Sequence, residues 1–248
     1  MATQAQRLAW IEARLDTLDR YWQSNWVSSP GDGGWSVQEK EPGRATLVTG
    51  RDGRKAVRLH TEPGDDVYGV NVDRCDLALS QEMTDGYEGR EHWWAHSIKF
   101  PFDFAAGNAW YVAADFHNTS DVSGYQANFH VDCADWAQGA VLQLRGYGGE
   151  NSEDNPFLVK LGPIVRNIWY DFVYHVRWSA TTGFFDAWVN GKRVLAHQGP
   201  TLYAGQGVYF KLANYRQTDG LASSVIHDRV VRGKTWQSVS LTPLEGLA

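Results

Sequence analysis

Most of the chain consists of short segments in which apolar and polar residues alternate with a period of two, a pattern typical of strands with one buried face. The clearest example runs from residue 205 to 218, GQGVYFKLANYRQT. One set of alternate positions is mostly apolar, while the other carries a cation and two phenols around a small alanine: Val208, Phe210, Leu212 and Asn214 against Tyr209, Lys211, Ala213 and Tyr215. We interpret the second set as the floor of a ligand-binding groove.

About a dozen such segments, separated by turn residues, predict an all-β fold. Asp52-Gly53 and Asn190-Gly191 are typical of hairpin turns. Strands at this spacing favour a two-sheet antiparallel jelly-roll sandwich of the concanavalin A type. The predicted strands are 45–49, 56–60, 67–79, 93–100, 109–117, 125–131, 141–145, 169–178, 184–189, 193–196, 208–215 and 225–231.

The first residues differ from the rest, because their apolar positions recur every three or four residues. This spacing predicts an amphipathic helix over residues 3–23, with Leu8, Ile11, Leu15, Leu18 and Trp22 on its apolar face. The helix either packs against the domain or serves as a short oligomerisation helix. We expect a monomer, with the helix in residues 1–24 and a single β-jelly-roll domain in residues 25–248.

Composition narrows the classes of partner. The net charge of −6 and the lack of a Lys/Arg run argue against nucleic acid, and no segment is apolar enough to span a membrane. The 12 Trp and 11 Tyr suit platforms on which sugar rings stack. Cys75 and Cys133 are either two buried thiols or one disulfide.

The start of the chain, MATQAQRLAWIEARLD, shows no signal peptide. The localisation stays open. We expect the protein to act outside the cell, either as a mature form or released by phage lysis.

A histidine is the first candidate for chemistry. In AWYVAADFHN, alternation places Asp115 and His117 on one face, about 7 Å apart along the strand. Asp115 would orient the imidazole or raise its pKa. On the pattern alone, an ordinary surface histidine of a sandwich is the favoured interpretation of His117.

Amide and guanidinium side chains recur on the same kind of face. They suit the hydroxyls and carboxylates of a sugar polymer. Arg74 either pairs with Asp76 or binds a substrate carboxylate. The predicted substrate-binding residues from these patterns are Arg74, Asn118, Gln126, Asn128, His130 and Arg145.

The sequence lacks the motifs of several other classes of enzyme. The sequence has no GxGxxG, P-loop, HExxH or GxSxG motif and no zinc-type Cys/His spacing, so we expect no organic cofactor. No strand carries the paired carboxylates that a retaining glycosidase needs.

Several segments together resemble a polysaccharide lyase family, the one that groups the heparin lyase I type with fungal-type glucuronan lyases. The resemblance covers about Val67–Val239. It is carried by WWAHSIKFPFDF, ADFHN, WYDFVYHVRWSATTGFFDAWVNGKRV, YFKLANYR and VIHDRVVRGKTW.

The resemblance implies a jelly roll whose concave sheet binds uronic-acid polymers and cleaves them by β-elimination, often with a structural calcium ion. His117 would be the base and Tyr215 the acid, or Tyr215 would do both in a syn elimination. Lys211, four residues before that tyrosine, would hold an acidic group in a neighbouring subsite. Asp228 is the best candidate for a calcium ligand.

The expected function is therefore cleavage of an acidic polysaccharide, with a glucuronan- or alginate-like substrate favoured. The competing functions are a non-catalytic lectin-like module and a glycoside hydrolase. The first would use the same groove without a His–Tyr pair, and the second would release reducing ends without a double bond.

Overall fold

The structure is a computed structural model that describes residues 3–4, 19–106, 110–120, 125–134, 140–151, 157–218 and 220–240. Within these residues the chain forms 15 strands and two one-turn helices. The helices are α1 (Gln81–Thr84) and α2 (Trp236–Val239). The strands are β1 (Arg20–Gln23), β2 (Ser36–Glu39), β3 (Ala45–Thr49), β4 (Lys55–Thr61), β5 (Val72–Ala78), β6 (Glu91–Lys99), β7 (Tyr111–Asn118), β8 (Phe129–Ala134), β9 (Val141–Gly146), β10 (Phe157–Pro163), β11 (Trp169–Arg177), β12 (Phe184–Val189), β13 (Lys192–Gln198), β14 (Val208–Gln217) and β15 (Ser223–Gly233).

The strands pair into two antiparallel sheets. The eight-stranded sheet has the order β13-β12-β11-β6-β15-β4-β3, with β1 also paired to β15. The seven-stranded sheet has the order β10-β9-β8-β7-β14-β5-β2. This arrangement confirms the predicted two-sheet antiparallel sandwich.

An aromatic core fills the space between the sheets. Phe116 of β7 and Phe210 of β14 lie 4.8 Å apart between ring centroids, and Trp94 of β6 packs on Phe210 from the opposite sheet at 5.2 Å. All three are at most 1% exposed. Asn214 also points inward and donates to the Leu59 and Ser223 carbonyl oxygens, so it links the two sheets. The other set of alternate β14 residues therefore lies on the outer face of the seven-stranded sheet: Tyr209, Lys211, Ala213 and Tyr215.

The hairpin predictions hold. Asn190 and Gly191 have φ of 49° and 78°, as a type I′ turn requires, and they join β12 to β13. Asp52 and Gly53, with φ of 56° and 72°, lie between β3 and β4.

Several predicted boundaries are wrong. Arg20–Gln23, placed in the helix, form a strand because their backbone pairs with β15; residues 5–18 of that prediction lie outside the described residues. The strand predicted over 125–131 begins at Phe129 and continues to Ala134. The one predicted over 67–79 begins only at Val72. The sequence analysis missed β1, β2 and β10, each of which pairs with a single neighbouring strand.

Cys75 and Cys133 are both buried free thiols. Burial raises the pKa of each thiol, so both are inert. Among the described residues no helix is long and apolar enough to cross a bilayer.

Candidate active site

The outer face of the seven-stranded sheet buries an unusual number of polar side chains. Charged groups on an ordinary solvent-facing sheet stay exposed, because their burial is costly. Here six polar side chains, among them three carboxylates and one ammonium, are at most 5% exposed: Asp76, Asp115, His130, Asp132, Gln143 and Lys211. This face is therefore the candidate floor of a binding site.

Strand register aligns part of this floor in a row across four strands. Arg145 of β9 is opposite His130 of β8, His130 is opposite Asp115 of β7, and Asp115 is opposite Lys211 of β14. The row brings four residues from separate sequence segments side by side.

Lys211 lies at the β14 end of the row. Its Nζ lies 3.0 Å from Asp76 Oδ2 and 3.9 Å from Asp115 Oδ2. Burial works to lower the pKa of Lys211, but the two carboxylates outweigh it and raise that pKa. Burial raises the pKa of Asp115, and the Lys211 charge opposes that rise. The prediction that Lys211 holds an acidic group in a subsite is wrong, because its ammonium is buried and already paired.

Tyr215 is half-buried beside this cluster, with positive charge on two sides. The Arg74 guanidinium carbon lies 4.1 Å from the centroid of its ring, and Lys211 Nζ lies 5.6 Å from it. Trp110 meets the ring edge-on at 4.7 Å. Arg74 is fixed in turn by Asp76, 3.3 Å from its Nε. Burial works to lower the pKa of Arg74, but Asp76 and Tyr215 raise it overall, so Arg74 stays charged.

A cleft of about 380 Å³ opens in front of Tyr215. Its lining includes Trp110, Gln126, His130, Asp132, Arg145 and Tyr215. Three of these, Gln126, His130 and Arg145, were predicted to bind substrate, and Tyr215 was predicted to be catalytic. Trp110 and Asp132 were not predicted.

His117 lies on the same face but apart from this cleft. The register puts His117 opposite Tyr209, whereas Tyr215 is opposite Val112, so the two positions differ by five residues of β7 or about 17 Å. The proposed pairing of His117 with Tyr215 across one sugar ring is therefore not supported by the strand register.

His117 nevertheless keeps one ring nitrogen available as an acceptor. Its Nδ1 is 2.8 Å from the Asn118 carbonyl oxygen and must donate to it, which leaves Nε2 as a proton acceptor. The imidazole also stacks on Tyr209 with 5.2 Å between centroids. Its catalytic role stays a prediction.

His130 lines the cleft but is a weak base. Burial, and secondarily the Arg145 charge, lower the pKa of His130 to about 3, so the imidazole is neutral at ordinary pH. The Ala127 carbonyl lies near enough to oppose this shift, but neither ring nitrogen meets hydrogen-bond geometry with a described residue.

Two side-chain amides that were predicted to bind substrate donate hydrogen bonds to other residues of the protein. Asn118 donates to the Ser120 carbonyl oxygen and the Gln206 amide oxygen, and it is 3% exposed. Asn128 is equally buried and donates to the Tyr147 carbonyl oxygen at 3.2 Å. Asn118 uses both of its N–H donors within the protein, whereas Asn128 uses one of its two, and the substrate-binding role of Asn118 and Asn128 stays a prediction.

Asp228 does not fit a calcium site. It lies in β15 of the other sheet, where its Oδ2 accepts from the Arg51 backbone N–H at 3.0 Å. Burial raises the pKa of Asp228, and the Arg229 and Arg54 charges only partly oppose this. Calcium needs six to eight oxygen ligands rather than one carboxylate among arginines. The described residues contain no cluster of three or more His, Cys, Asp or Glu side chains that could hold a metal.

Comparisons with known proteins agree with this architecture. The sequence model of the family described as "Polysaccharide lyase" matches residues 20–231. An endo-β-1,4-glucuronan lyase from the fungus Trichoderma reesei has a similar structure, with a TM-score of 0.69 and 18% identity over 89% of this chain and 98% of that chain. Alginate lyase A1-II′, of polysaccharide lyase family 7, gives a TM-score of 0.58 and 15% identity over 81% and 95%.

A sequence comparison with curated proteins gives no match. The structural similarities are at low identity and show the fold, a jelly roll as the sequence predicted. The family match spans most of the chain and decides the class. The chain belongs to the polysaccharide lyase family and is a carbon–oxygen lyase that acts on polysaccharides.

Proposed function

We propose that this lyase cleaves a uronic-acid-containing polymer by β-elimination, with a glucuronan- or alginate-like chain as substrate. The observation that carries the proposal is the phenol of Tyr215 at a cleft, with the Arg74 guanidinium carbon 4.1 Å and the Lys211 ammonium 5.6 Å from its ring centroid. The similar structures act on glucuronan and alginate by their names, which supports an acidic substrate.

The electrostatics of the site suit this reaction. Elimination begins with loss of the C5 proton, which is alpha to a carboxylate and therefore very weakly acidic. Negative charge then develops on a group that is already anionic, and donors fixed in advance lower that cost. Arg74 is held in place by Asp76 and lies beside Tyr215, so we assign it to the carboxylate of the reacting sugar.

Tyr215 is the proposed proton carrier. In the proposed step the Tyr215 phenolate takes the proton from C5 and becomes the phenol, the C–H electrons form the C4=C5 double bond, and the C4–O4 bond breaks. The same phenol then returns the proton to the leaving O4, so the proton moves from carbon to oxygen on one face of the sugar in a syn elimination. His130 is too weak a base for this step, and His117 is about 17 Å away by register.

The test is an ultraviolet assay for unsaturated ends on glucuronan, alginate and a neutral polysaccharide. We expect wild-type activity on an acidic polymer only, and a loss of at least about 1000-fold in Tyr215→Phe because the proton carrier is removed. Tyr21→Phe is the matched control, since this exposed tyrosine lies in the eight-stranded sheet.

His117→Ala distinguishes the two proton routes. We expect it to keep activity within about tenfold if Tyr215 carries both transfers. A loss as complete as that of Tyr215→Phe would restore His117 as the base. Reducing ends without a double bond, or full activity in Tyr215→Phe, would refute the proposed reaction.

A further inference from the structure

An ion pair in the wall of the cleft is not used by the proposed chemistry. Asp132 Oδ2 and Arg145 Nη2 lie 2.6 Å apart. The two partners differ in exposure, because the Asp132 side chain is 2% exposed and the Arg145 side chain 32%. The Asp132 carboxylate is therefore buried, and the Arg145 guanidinium lies between that carboxylate and the solvent.

Stability is a poor explanation for this pair. Removing two charges from water costs more than their attraction commonly returns. Burial raises the pKa of Asp132 to about 6, although Arg145 and the Gln143 side chain both oppose that shift. The fold therefore keeps a costly carboxylate at this position.

Arg145 has donors left for a ligand. A guanidinium has five N–H groups. Its Nε is buried and has no hydrogen-bond partner among the described residues, and the rest of the group remains open to solvent. Its planar fork matches a carboxylate in a bidentate geometry.

Burial keeps the titratable groups nearest to Asp132 in their uncharged forms, and two of them, Cys133 and Tyr111, belong to the core behind it. His130 and Cys133 of β8 and Tyr111 of β7 have pKa values shifted by burial toward their uncharged forms. Tyr215 of β14 completes the lining. Among the described residues that line the cleft, Arg145 is the cation.

We propose that Asp132 is a positioning residue that presents the Arg145 guanidinium to a second carboxylate of the bound polymer. Arg145 and Arg74 are on strands β9 and β5, four strand spacings or about 19 Å apart across the sheet. They therefore serve carboxylates of different sugar units, with Tyr215 on the Arg74 side. This inference rests on the proposed function, because it assumes an acidic polymer.

The experiment measures binding and turnover separately. Wild type, Asp132→Ala, Asp132→Asn, Arg145→Ala and Asp132→Asn/Arg145→Ala are run in native gels that contain glucuronan or alginate, and kcat and KM are measured on the polymer that is cleaved. Lys192→Ala is the matched control, since it removes an exposed cation from β13 of the other sheet.

We expect Asp132→Ala and Arg145→Ala each to raise KM and weaken gel retardation about tenfold, with kcat within about twofold. Asp132→Asn keeps the shape of the side chain but removes its charge, so that variant should raise KM about threefold. In wild type KM should rise as pH falls below about 6, where Asp132 is protonated, whereas KM of Asp132→Asn should not change over that range.

Three outcomes would overturn the proposal: no retardation of wild type by either polymer, Asp132→Ala binding like wild type, or an effect of Asp132→Asn that persists in the Arg145→Ala background. The comparison of Asp132→Asn in the wild-type and Arg145→Ala backgrounds replaces one side chain conservatively and truncates one that is partly exposed. It therefore tests the proposal even if Asp132→Ala does not fold. If the proposed function is wrong, the gels would still show retardation by the polymer, but the ultraviolet assay would detect no unsaturated ends.

Discussion

At the residue scale, the most informative feature is a lysine whose charge is used inside the protein. Lys211 looks like a substrate-binding cation in the sequence, because it alternates with core residues on a polar face. Its ammonium is instead enclosed with Asp76 and Asp115. The sequence predicted its face, but no pattern along one strand reveals the charges that neighbouring strands bring beside it.

This arrangement predicts a stability defect for Lys211→Met. The substitution leaves the buried Asp115 carboxylate without its cation and Asp76 with Arg74 alone, and should lower the free energy of unfolding by about 3–5 kcal/mol. Urea unfolding at pH 7.5 measures this, with Lys192→Met as the control for loss of an exposed charge. Lys211→Met/Asp76→Asn should recover part of the loss, whereas an unchanged midpoint in Lys211→Met would show that the ion cluster is not stabilising.

At the element scale, alternation predicted strand faces well and register poorly. It placed His117, His130, Arg145, Lys211 and Tyr215 on one sheet face. The register shifts between β14 and β7 and between β7 and β8, and these irregularities decide which residues share a cleft. They depend on contacts between distant segments, so periodicity along one segment cannot predict them.

The Asn190-Gly191 turn is the local sequence signal that predicted a strand boundary most directly, the one between β12 and β13. Gly191 has φ of 78° between β12 and β13, a conformation that costs a side-chain-bearing residue energy. Gly191→Ala should lower stability by about 1 kcal/mol. Activity should be unchanged because this hairpin lies at the edge of the eight-stranded sheet. Thermal unfolding and the lyase assay check the two statements, and lost activity at full stability would contradict them.

At the scale of the whole molecule, the sandwich buries four histidines in their neutral form. Burial lowers the pKa of His92 to about 4, of His130 and His227 to about 3, and of His96 well below its usual range. In the unfolded chain each has an ordinary pKa near 6.5. Below that pH the unfolded state binds more protons than the folded state, so acidification favours unfolding.

The expected result is a marked loss of stability between pH 7.5 and 5.5. Each buried histidine contributes about 1.4 kcal/mol of that loss at pH 5.5. The raised pKa of Asp132, about 6, acts in the opposite direction, because the folded state binds its proton first as the pH falls through about 6. Asp115 and Asp228 act in the same sense as Asp132.

Urea midpoints at the two pH values measure the balance. His227→Asn is the informative variant, because it removes one buried titrating group and should reduce the pH effect by about one histidine's share. Its pH dependence is compared with that of wild type rather than its absolute stability, since the substitution also changes the contact of His227 Nε2 with the Ala213 carbonyl oxygen at 3.4 Å. A midpoint that stays constant or rises at pH 5.5 would mean that the buried carboxyls, and not the histidines, dominate proton binding in the folded sandwich.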